Sequence, residues 1–419
     1  MRHPPYHLLS NLQPPHSSDV KAVLAIGSDL LASASRDSTV AVWKRQSSEE
    51  TNDPRQPLQL QALLGGHDAY VNSLAHIPGK DEDVGLLVSG GNSSLILLHS
   101  LDTLAPDAQH CLIGHALNVC ALAFNPKLGK LLSGSWDCSA RVWSQTQDGW
   151  ACDAVLEGHE QAVWDVQAVD DGRYYGSYLT GSADNTIRLW SATGEQLQRF
   201  KGSPEPVRSL AMLPGGDEFA SACNDGIIRI WDMSGNILAT LEGHSDYVYQ
   251  VRYSPTGHLF SCGEDHTLRV WNRQGQQERV LKHPCTTVWT VTSFLDGLVV
   301  TGGSDGVVRV WDYSAESSLQ DETGPQPTES NITNGAQDVS QPVDNPKTDV
   351  TPSQVQRLVI NIDLADDQPT VPLVFQSDQD PHEAAIAFGQ QHGLSQSYID
   401  RIEEFVANHV GGTHEGQDR

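Results

Sequence analysis

Seven times along this 419-residue chain, a stretch of about ten residues ends in the same way. Small residues and an Asp come first, apolar residues alternate after them, and a Trp closes the run. The copies are Ser33-Ala-Ser-Arg-Asp37 to Trp43, Ser133-Gly-Ser-Trp-Asp137 to Trp143, Thr180-Gly-Ser-Ala-Asp184 to Trp190, Ser221-Ala-Cys-Asn-Asp225 to Trp231, Ser261-Cys-Gly-Glu-Asp265 to Trp271 and Thr301-Gly-Gly-Ser-Asp305 to Trp311. A degraded copy, Ser89-Gly-Gly-Asn-Ser93 to His99, lies between the first two. With His99 in place of the missing Trp, the closing positions recur every 40 to 56 residues or so. Self-similarity at that period means a propeller or a solenoid, because one unit alone cannot cover its own apolar face.

Each unit reads as a meander of four short antiparallel strands. In the fourth copy Gly158-His159 opens the unit and Ala162-Val-Trp-Asp-Val166 is an apolar strand. Tyr178-Leu-Thr180 and Thr186-Ile-Arg-Leu-Trp190 follow, joined by a tight turn at Ala183-Asp184-Asn185. Gly-His recurs at Gly66-His67, Gly114-His115 and Gly243-His244; His16 and His283 fill the slot without the Gly, and the fifth copy has no His. Gly-His with Trp-Asp marks WD-type blades. The expected fold is mainly β: a seven-bladed WD-repeat β-propeller over residues 1–314. A closed ring removes free sheet edges. The last copy lacks an outermost strand, and Tyr6-His-Leu-Leu-Ser-Asn-Leu12 is placed to supply it.

His, Ser or Thr, Asp and Trp at these spacings can form a buried hydrogen-bond chain within one blade. Three complete sets are His115, Ser133, Asp137 and Trp143; His159, Thr180, Asp184 and Trp190; and His244, Ser261, Asp265 and Trp271. The same residue types can do acid–base or metal chemistry, but an active site needs asymmetry, and this set recurs from blade to blade. It is read as structural. Gly302-Gly-Ser-Asp-Gly306 fits the nucleophile-elbow pattern, yet it joins strand to strand where that motif needs a strand-to-helix turn. No catalytic residue, metal site or cofactor is assigned.

The net charge is −27. So large an acidic excess argues against nucleic acid and against anionic membrane surfaces, both of which select Lys and Arg. No apolar run approaches a membrane span, and Met-Arg-His-Pro-Pro-Tyr is no secretory leader. Seven cysteines in strand-like contexts, without a Cys-x-x-Cys pair, read as buried free thiols of a reducing compartment. The expected location is the cytoplasm, and the nucleus as well. Asn92-Ser-Ser and Asn331-Ile-Thr match glycosylation acceptors that carry no weight without a secretory route.

Residues 315–419 hold 18 acidic and 4 basic side chains. The first part, 315–353, is polar and acidic, and its composition predicts a disordered linker. Order is expected to resume over 354–412, before a tail at 413–419. Leu358, Ile360, Ile362 and Leu364 alternate along one strand, Asp366-Asp-Gln-Pro369 turns, and Val371, Leu373 and Phe375 alternate along a second. Asp380-Pro-His-Glu383 is a helix start. A second helix is expected from Ser395, with Ile399, Ile402, Phe405, Val406 and Val410 on one face, closed by Gly411-Gly412. This is a small ββαα unit.

The order of propeller, acidic tether and a unit built on Asp380-Pro-x-x-Ala-Ala and Tyr398-Ile-Asp-x-Ile-x-x-Phe405 resembles the phospholipase-A-activating-protein (PLAA-like) family. Leu131-Leu-Ser-Gly-Ser-Trp-Asp137, His159-x-x-Ala-Val-Trp164 and the aberrant Gly90-Gly-Asn92 carry the likeness within the blades. The resemblance implies a ubiquitin-binding cofactor of the AAA-type segregase ATPase, with ubiquitin met by the propeller face and by the small PFU domain. The terminal unit resembles the latter half of that domain, a partial PFU. Nothing before Arg419 resembles the family's ATPase-docking PUL domain. The ATPase is thus an expected working partner without its usual docking module.

In a WD blade the Gly-His loop and the Asp turn open on one face. The slots after the first and before the second hold Tyr70, Trp136, Trp164, Arg208, Tyr247, Tyr249 and Trp289. Trp, Tyr and Arg dominate interface energetics, and loops on a rigid scaffold are where binding occurs. These seven are the candidate ubiquitin-binding residues. The competing assignment is a generic WD scaffold or substrate receptor for some other partner.

Overall fold

In the computed structural model, residues 7–46, 56–80, 83–147 and 149–312 are described in full. Beyond them, only the strand backbones 357–362 and 371–376 and the helical positions 382, 386 and 387 are described. The chain divides into two units, Met1–Ser317 and Ser318–Arg419. The first is a seven-bladed propeller of four-stranded antiparallel sheets. Blade four, for example, runs Val163–Ala168, Tyr178–Ser182, Ile187–Trp190 and Gln196–Phe200 from the innermost strand outward.

Blade seven mixes the two ends of this unit. His7–Asn11 pairs antiparallel with Val308–Asp312 and forms the outermost strand, as the sequence predicts. The closure continues past the strand, where Leu12 N donates to Val308 O and His16 N donates to Gly306 O. Leu12 is then buried in the core shared by blades seven and one.

The repeated motif has a local cause at each position. The residue after the Asp slot adopts a left-handed backbone in all seven blades: Ser38, Ser94, Cys138, Asn185, Gly226, His266 and Gly306. Except in blade two, the Asp Oδ1 accepts the N–H two residues on, at 3.0–3.2 Å, which fixes the turn. The small residue between the two Ser or Thr slots is dictated by the next blade. A Cβ on Gly134 would lie 3.0 Å from Val163 Cγ1, and one on Gly302 would lie 2.6 Å from Val20 Cγ1.

The buried hydrogen-bond chain forms in each of the three predicted sets, and in blade one as well. In blade three Trp143 Nε1 donates to Ser133 Oγ at 2.9 Å, Ser133 Oγ meets His115 Nε2 at 2.7 Å, and His115 Nδ1 meets Asp137 Oδ2 at 2.8 Å. The chains of His159 with Thr180, Asp184 and Trp190, and of His244 with Ser261, Asp265 and Trp271, repeat this geometry. His16, Ser33, Asp37 and Trp43 form a fourth, although no Gly precedes His16. Burial opposes ionisation of Asp137, Asp184 and Asp265, but hydrogen bonds led by their His partners hold all three far below the usual carboxylate range. Burial lowers His159 and His244, against the pull of those carboxylates.

Where the set is broken, a substitute appears. In blades five and seven Arg229 and Arg309 pair with Asp225 and Asp305, each at 2.5 Å. In blade two His67 bonds Ser93 in place of an Asp, and His99 Nε2 donates to Gly65 O where a Trp would stand.

The cysteines depart from expectation. Cys223, Cys262 and Cys285 are buried, but Cys111 and Cys152 are exposed, because they lie on the outermost strands His110–Leu112 and Gly149–Leu156. In the second unit Arg357–Ile362 and Val371–Gln376 form the predicted hairpin, and His382, Ile386 and Ala387 are helical. The linker and the second helix lie outside the described residues.

Candidate protein-binding face

One irregularity builds the face. At the start of the innermost strand of every blade the register slips, between Val20 and Ala22, Val71 and Ser73, Val119 and Ala121, Val163 and Asp165, Val207 and Ser209, Val248 and Gln250, and Val288 and Thr290. A β-bulge leaves one residue unpaired and re-aims its side chain. The skipped residues are Lys21, Asn72, Cys120, Trp164, Arg208, Tyr249 and Trp289, one per blade at an equivalent position. The valine before each bulge is wholly buried.

Two more positions per blade share that end of the molecule. The residue before the valine accepts, through its carbonyl, the N–H of the residue before the Asp slot. This bond recurs as Arg36 N to Asp19 O, Asn92 N to Tyr70 O, Trp136 N to Asn118 O, Ala183 N to Ala162 O, Asn224 N to Pro206 O, Glu264 N to Tyr247 O and Ser304 N to Thr287 O. Three slots from seven blades are thereby held in fixed register around one mouth of the channel.

Five bulge residues from consecutive blades touch in series. The Arg208 guanidinium carbon lies 3.9 Å from the Trp164 ring centroid and 5.2 Å from that of Tyr249. Tyr249 and Trp289 centroids are 4.3 Å apart, and Lys21 Nζ lies 3.3 Å from the Trp289 centroid. Tyr247 meets Tyr249 edge-on at 6.4 Å. Arg36 stands 5.5 Å from the rings of both Trp289 and Tyr70. Polar bonds set the angles: Trp289 Nε1 donates to Asp19 Oδ2 at 2.9 Å and Arg208 Nε donates to Asn224 Oδ1 at 2.7 Å.

The residues after four of these bulges lock the same blades together. Asp165 accepts from Ser209 Oγ at 2.9 Å and from Leu210 N at 2.7 Å, joining blade four to five. Gln250 Oε1 accepts from Thr290 Oγ1 and Val291 N, joining six to seven, and Thr290 Oγ1 accepts from Val23 N, joining seven to one. A platform braced in this way loses little side-chain entropy when a partner covers it.

Six of the seven sequence candidates are brought together: Tyr70, Trp164, Arg208, Tyr247, Tyr249 and Trp289. Trp136 occupies the slot before the Asp in blade three, and among the described residues it makes no ring contact with the others. All seven are partly exposed except Tyr247, which is exposed. Lys21, Arg36 and Asp19 were missed by the sequence reading. The same slots applied to blade one would have found them. At the loop tips around this floor Asp68, Glu160, Glu205 and Asp246 are exposed, so the rim is acidic. The arrangement suits a protein surface with an apolar centre and basic surroundings.

Six segments, residues 8–44, 107–144, 150–191, 194–232, 235–272 and 275–312, match the family described as WD domain, G-beta repeat. Residues 344–414 match the family described as PFU (PLAA family ubiquitin binding). Over 257 residues the chain is 30% identical to Ubiquitin homeostasis protein lub1 of Schizosaccharomyces pombe, covering 60% of this chain and 32% of that protein. Over 140 residues it is 35% identical to Phospholipase A-2-activating protein of Xenopus laevis, covering 33% and 16%. The chain thus spans a third or less of the length of these curated relatives. The crystal structure of the WD40 beta propeller domain of Doa1 matches with a TM-score of 0.64 at 32% identity, covering 73% of this chain and 97% of that one.

Proposed function

We propose, from the premise that this chain belongs to the WD40-repeat proteins of the phospholipase A-2-activating-protein family, that it is a non-catalytic ubiquitin-binding adaptor in ubiquitin homeostasis and ubiquitin-dependent protein turnover. One observation carries this reading. Trp164, Arg208, Tyr249, Trp289 and Lys21 come from the same bulge slot of five consecutive blades and form one continuous aromatic and cationic floor. Ubiquitin offers an apolar patch ringed by basic side chains. The floor would take the patch, and Asp68, Glu160, Glu205 and Asp246 would meet the rim. The PFU match supplies a second place for ubiquitin on the same chain, and two linked sites raise avidity without any new contact.

The Ser–His–Asp sets do not support hydrolysis. Ser133 is wholly buried and its oxygen already receives the Trp143 N–H, so a substrate has no approach to it. The AAA-type segregase ATPase is the working partner we assign on family resemblance. Seven cysteines outside any disulfide suit the cytoplasm and nucleus.

The test is an NMR titration of labelled ubiquitin with the full chain and with an Arg208→Ala, Tyr249→Ala double variant. Shifts centred on ubiquitin's apolar patch should appear with the wild type and weaken strongly with the variant. Equal shifts with both would remove the propeller floor from the reading and leave the PFU segment as the receptor. No shifts with either would point to a WD scaffold for another protein.

A further inference from the structure

The turns that join strands one to two and three to four lie at the end of each blade opposite the Gly-His loops. On that side a cavity of about 450 Å³ opens between blades five and six, within the range of about 300–1,000 Å³ that ligand pockets occupy. Leu213, Ile230, Leu238, Leu241, Tyr253 and Leu259 form its apolar wall, and Glu218 and Arg273 belong to its lining. The cavity is accessible from solvent: Leu238 is 51% exposed, and Glu218, Ala239 and Arg273 are exposed as well.

Blade five departs here from a pattern its neighbours keep. Beside the closing Trp, the outermost strand of five blades slips register and skips one residue: Gln61, Asp153, Leu197, Leu238 and Glu278. In blades three and six that residue is acidic and meets a basic side chain at the start of the second strand. Asp153 Oδ2 lies 2.6 Å from Lys130 Nζ, and Glu278 Oε2 lies 3.4 Å from His258 Nε2. Blade five has Leu238 in the first place and Glu218 in the second, so no ion pair can cover the gap. Among the described residues, the side chains of Glu218 and Arg273 make no hydrogen bond or ion pair. The Arg273 guanidinium rests on bare backbone instead: a Cβ on Gly257, at φ +89°, would lie 2.9 Å from its Nε and Nη2. Beside the cavity runs the outermost strand Ile237–Leu241, whose outer edge pairs with no described strand. Ile237 to Thr240 are all exposed and none is charged. Edge strands are usually guarded by charge, as Glu278, Arg279 and Lys282 guard the same strand of blade six.

We propose that this cleft is a second protein-binding site, which takes an extended peptide segment of a partner. The segment adds a strand to Ile237–Leu241 and sets a side chain the size of Leu or Phe in the cavity, with an acidic residue for Arg273 and a basic one for Glu218. An open strand edge supplies main-chain hydrogen bonds, and a pocket beside it selects the side chain. A helical segment would spend its N–H and C=O groups on itself. The two rim charges stand in water, so they choose among apolar segments more than they add affinity. The inference goes beyond the ubiquitin reading and does not depend on it. The cleft lies at the opposite end of the blades from the aromatic floor, so one chain can hold a partner at each, as an adaptor must.

The experiment is selection of a phage-displayed library of short random peptides against the full chain, with the enriched peptides then titrated against variants. Enriched sequences should share a bulky apolar residue beside an acidic one. Leu238→Lys, at an exposed position, should weaken them by about tenfold or more, the effect of losing one buried apolar anchor. Arg273→Glu should weaken them by about threefold, and replacing the peptide's acidic residue with Lys should restore what that variant lost. Ubiquitin should shift equally with wild type and both variants, because it meets the other end of the blades. No enrichment, enriched peptides indifferent to Leu238→Lys, or peptides displaced by ubiquitin would each overturn the cleft. Peptide binding that obeys these variants in a chain that ignores ubiquitin would sustain the cleft and overturn the ubiquitin reading alone.

Discussion

The guanidinium carbon of Arg208 lies 3.9 Å from the ring centroid of Trp164, although the two residues belong to different blades. Both are skipped by a bulge at the same point of their strands. Neither side chain is placed by its own neighbours in sequence. They meet because consecutive blades repeat one irregularity, and Tyr249 and Trp289 extend the series.

Arg208→Ala should therefore cost the binding face more than the fold. The pair is partly exposed, and cation–π contacts of this kind contribute about 1 kcal/mol or somewhat more when covered by a partner. Ubiquitin affinity should fall by up to about tenfold while the melting temperature moves by less than about 2 °C. A large loss of melting temperature with affinity retained would mark Arg208 as a structural residue instead.

Ser133→Ala should do the opposite. It strips the partner from Trp143 Nε1 and from His115 Nε2 inside a buried chain. Two buried polar groups left unmet cost about 3 kcal/mol together. Urea unfolding should report that loss in the midpoint, whereas Thr180→Ser, which keeps both bonds in blade four, should lose far less. Equal effects would refute the hydrogen-bond account.

Deleting residues 1–13 should lower the melting temperature sharply, by roughly 5 °C or more. The deletion removes the His7–Asn11 strand, bares the edge of Val308–Asp312 and takes Leu12 from the core. Differential scanning calorimetry checks it, and a negligible change would show that blade seven holds without its N-terminal strand.

Acid should weaken the propeller well before its carboxylates titrate. Burial lowers His67 and His283 to about 4 in the folded state, from 6.5. The unfolded chain then binds protons that the folded one refuses, so stability is full above pH 6.5 and falls as pH drops toward 4. The paired Asp137, Asp184 and Asp265 act only lower still, since their stabilisation persists until pH falls through their depressed values. A His67→Gln, His283→Gln variant should show a flatter melting-temperature profile between pH 6.5 and 4. An unchanged slope there would assign the acid response elsewhere.

Thiol labelling should separate two classes. Cys111 and Cys152 on outermost strands should react with a maleimide in the native protein. Cys223, buried and pushed up to about 11, should react only on unfolding, with Cys262 and Cys285. Mass spectrometry of the labelled peptides checks this, and rapid native labelling of Cys262 would contradict its burial.

Much of the fold was readable because each blade is built from contacts close in sequence. The Ser- or Thr-to-Trp run is one hairpin, and His to Asp spans one pair of neighbouring strands, so spacing alone identified three of the four polar chains. Blade one escaped because His16 lacks its preceding Gly, and the missed Lys21 and Arg36 sat in slots that the same rule covers. Closure by the N-terminal strand was also legible, since blade seven was one strand short and an alternating run stood unused at the other end.

By itself the sequence determined the repeat, the hairpin turns, the buried polar chains and the residue types available to one face. Those follow from side chains a few positions apart acting on their own backbone. Which of those residues touch was decided only in the tertiary structure. Lys21 reaches Trp289 and Trp164 lies beneath Arg208 because the ring closes and every first strand bulges at the same place. A bulge follows from pairing between strands, and the meeting of residues from opposite ends of the propeller follows from closure. Neither leaves a local signature in the chain.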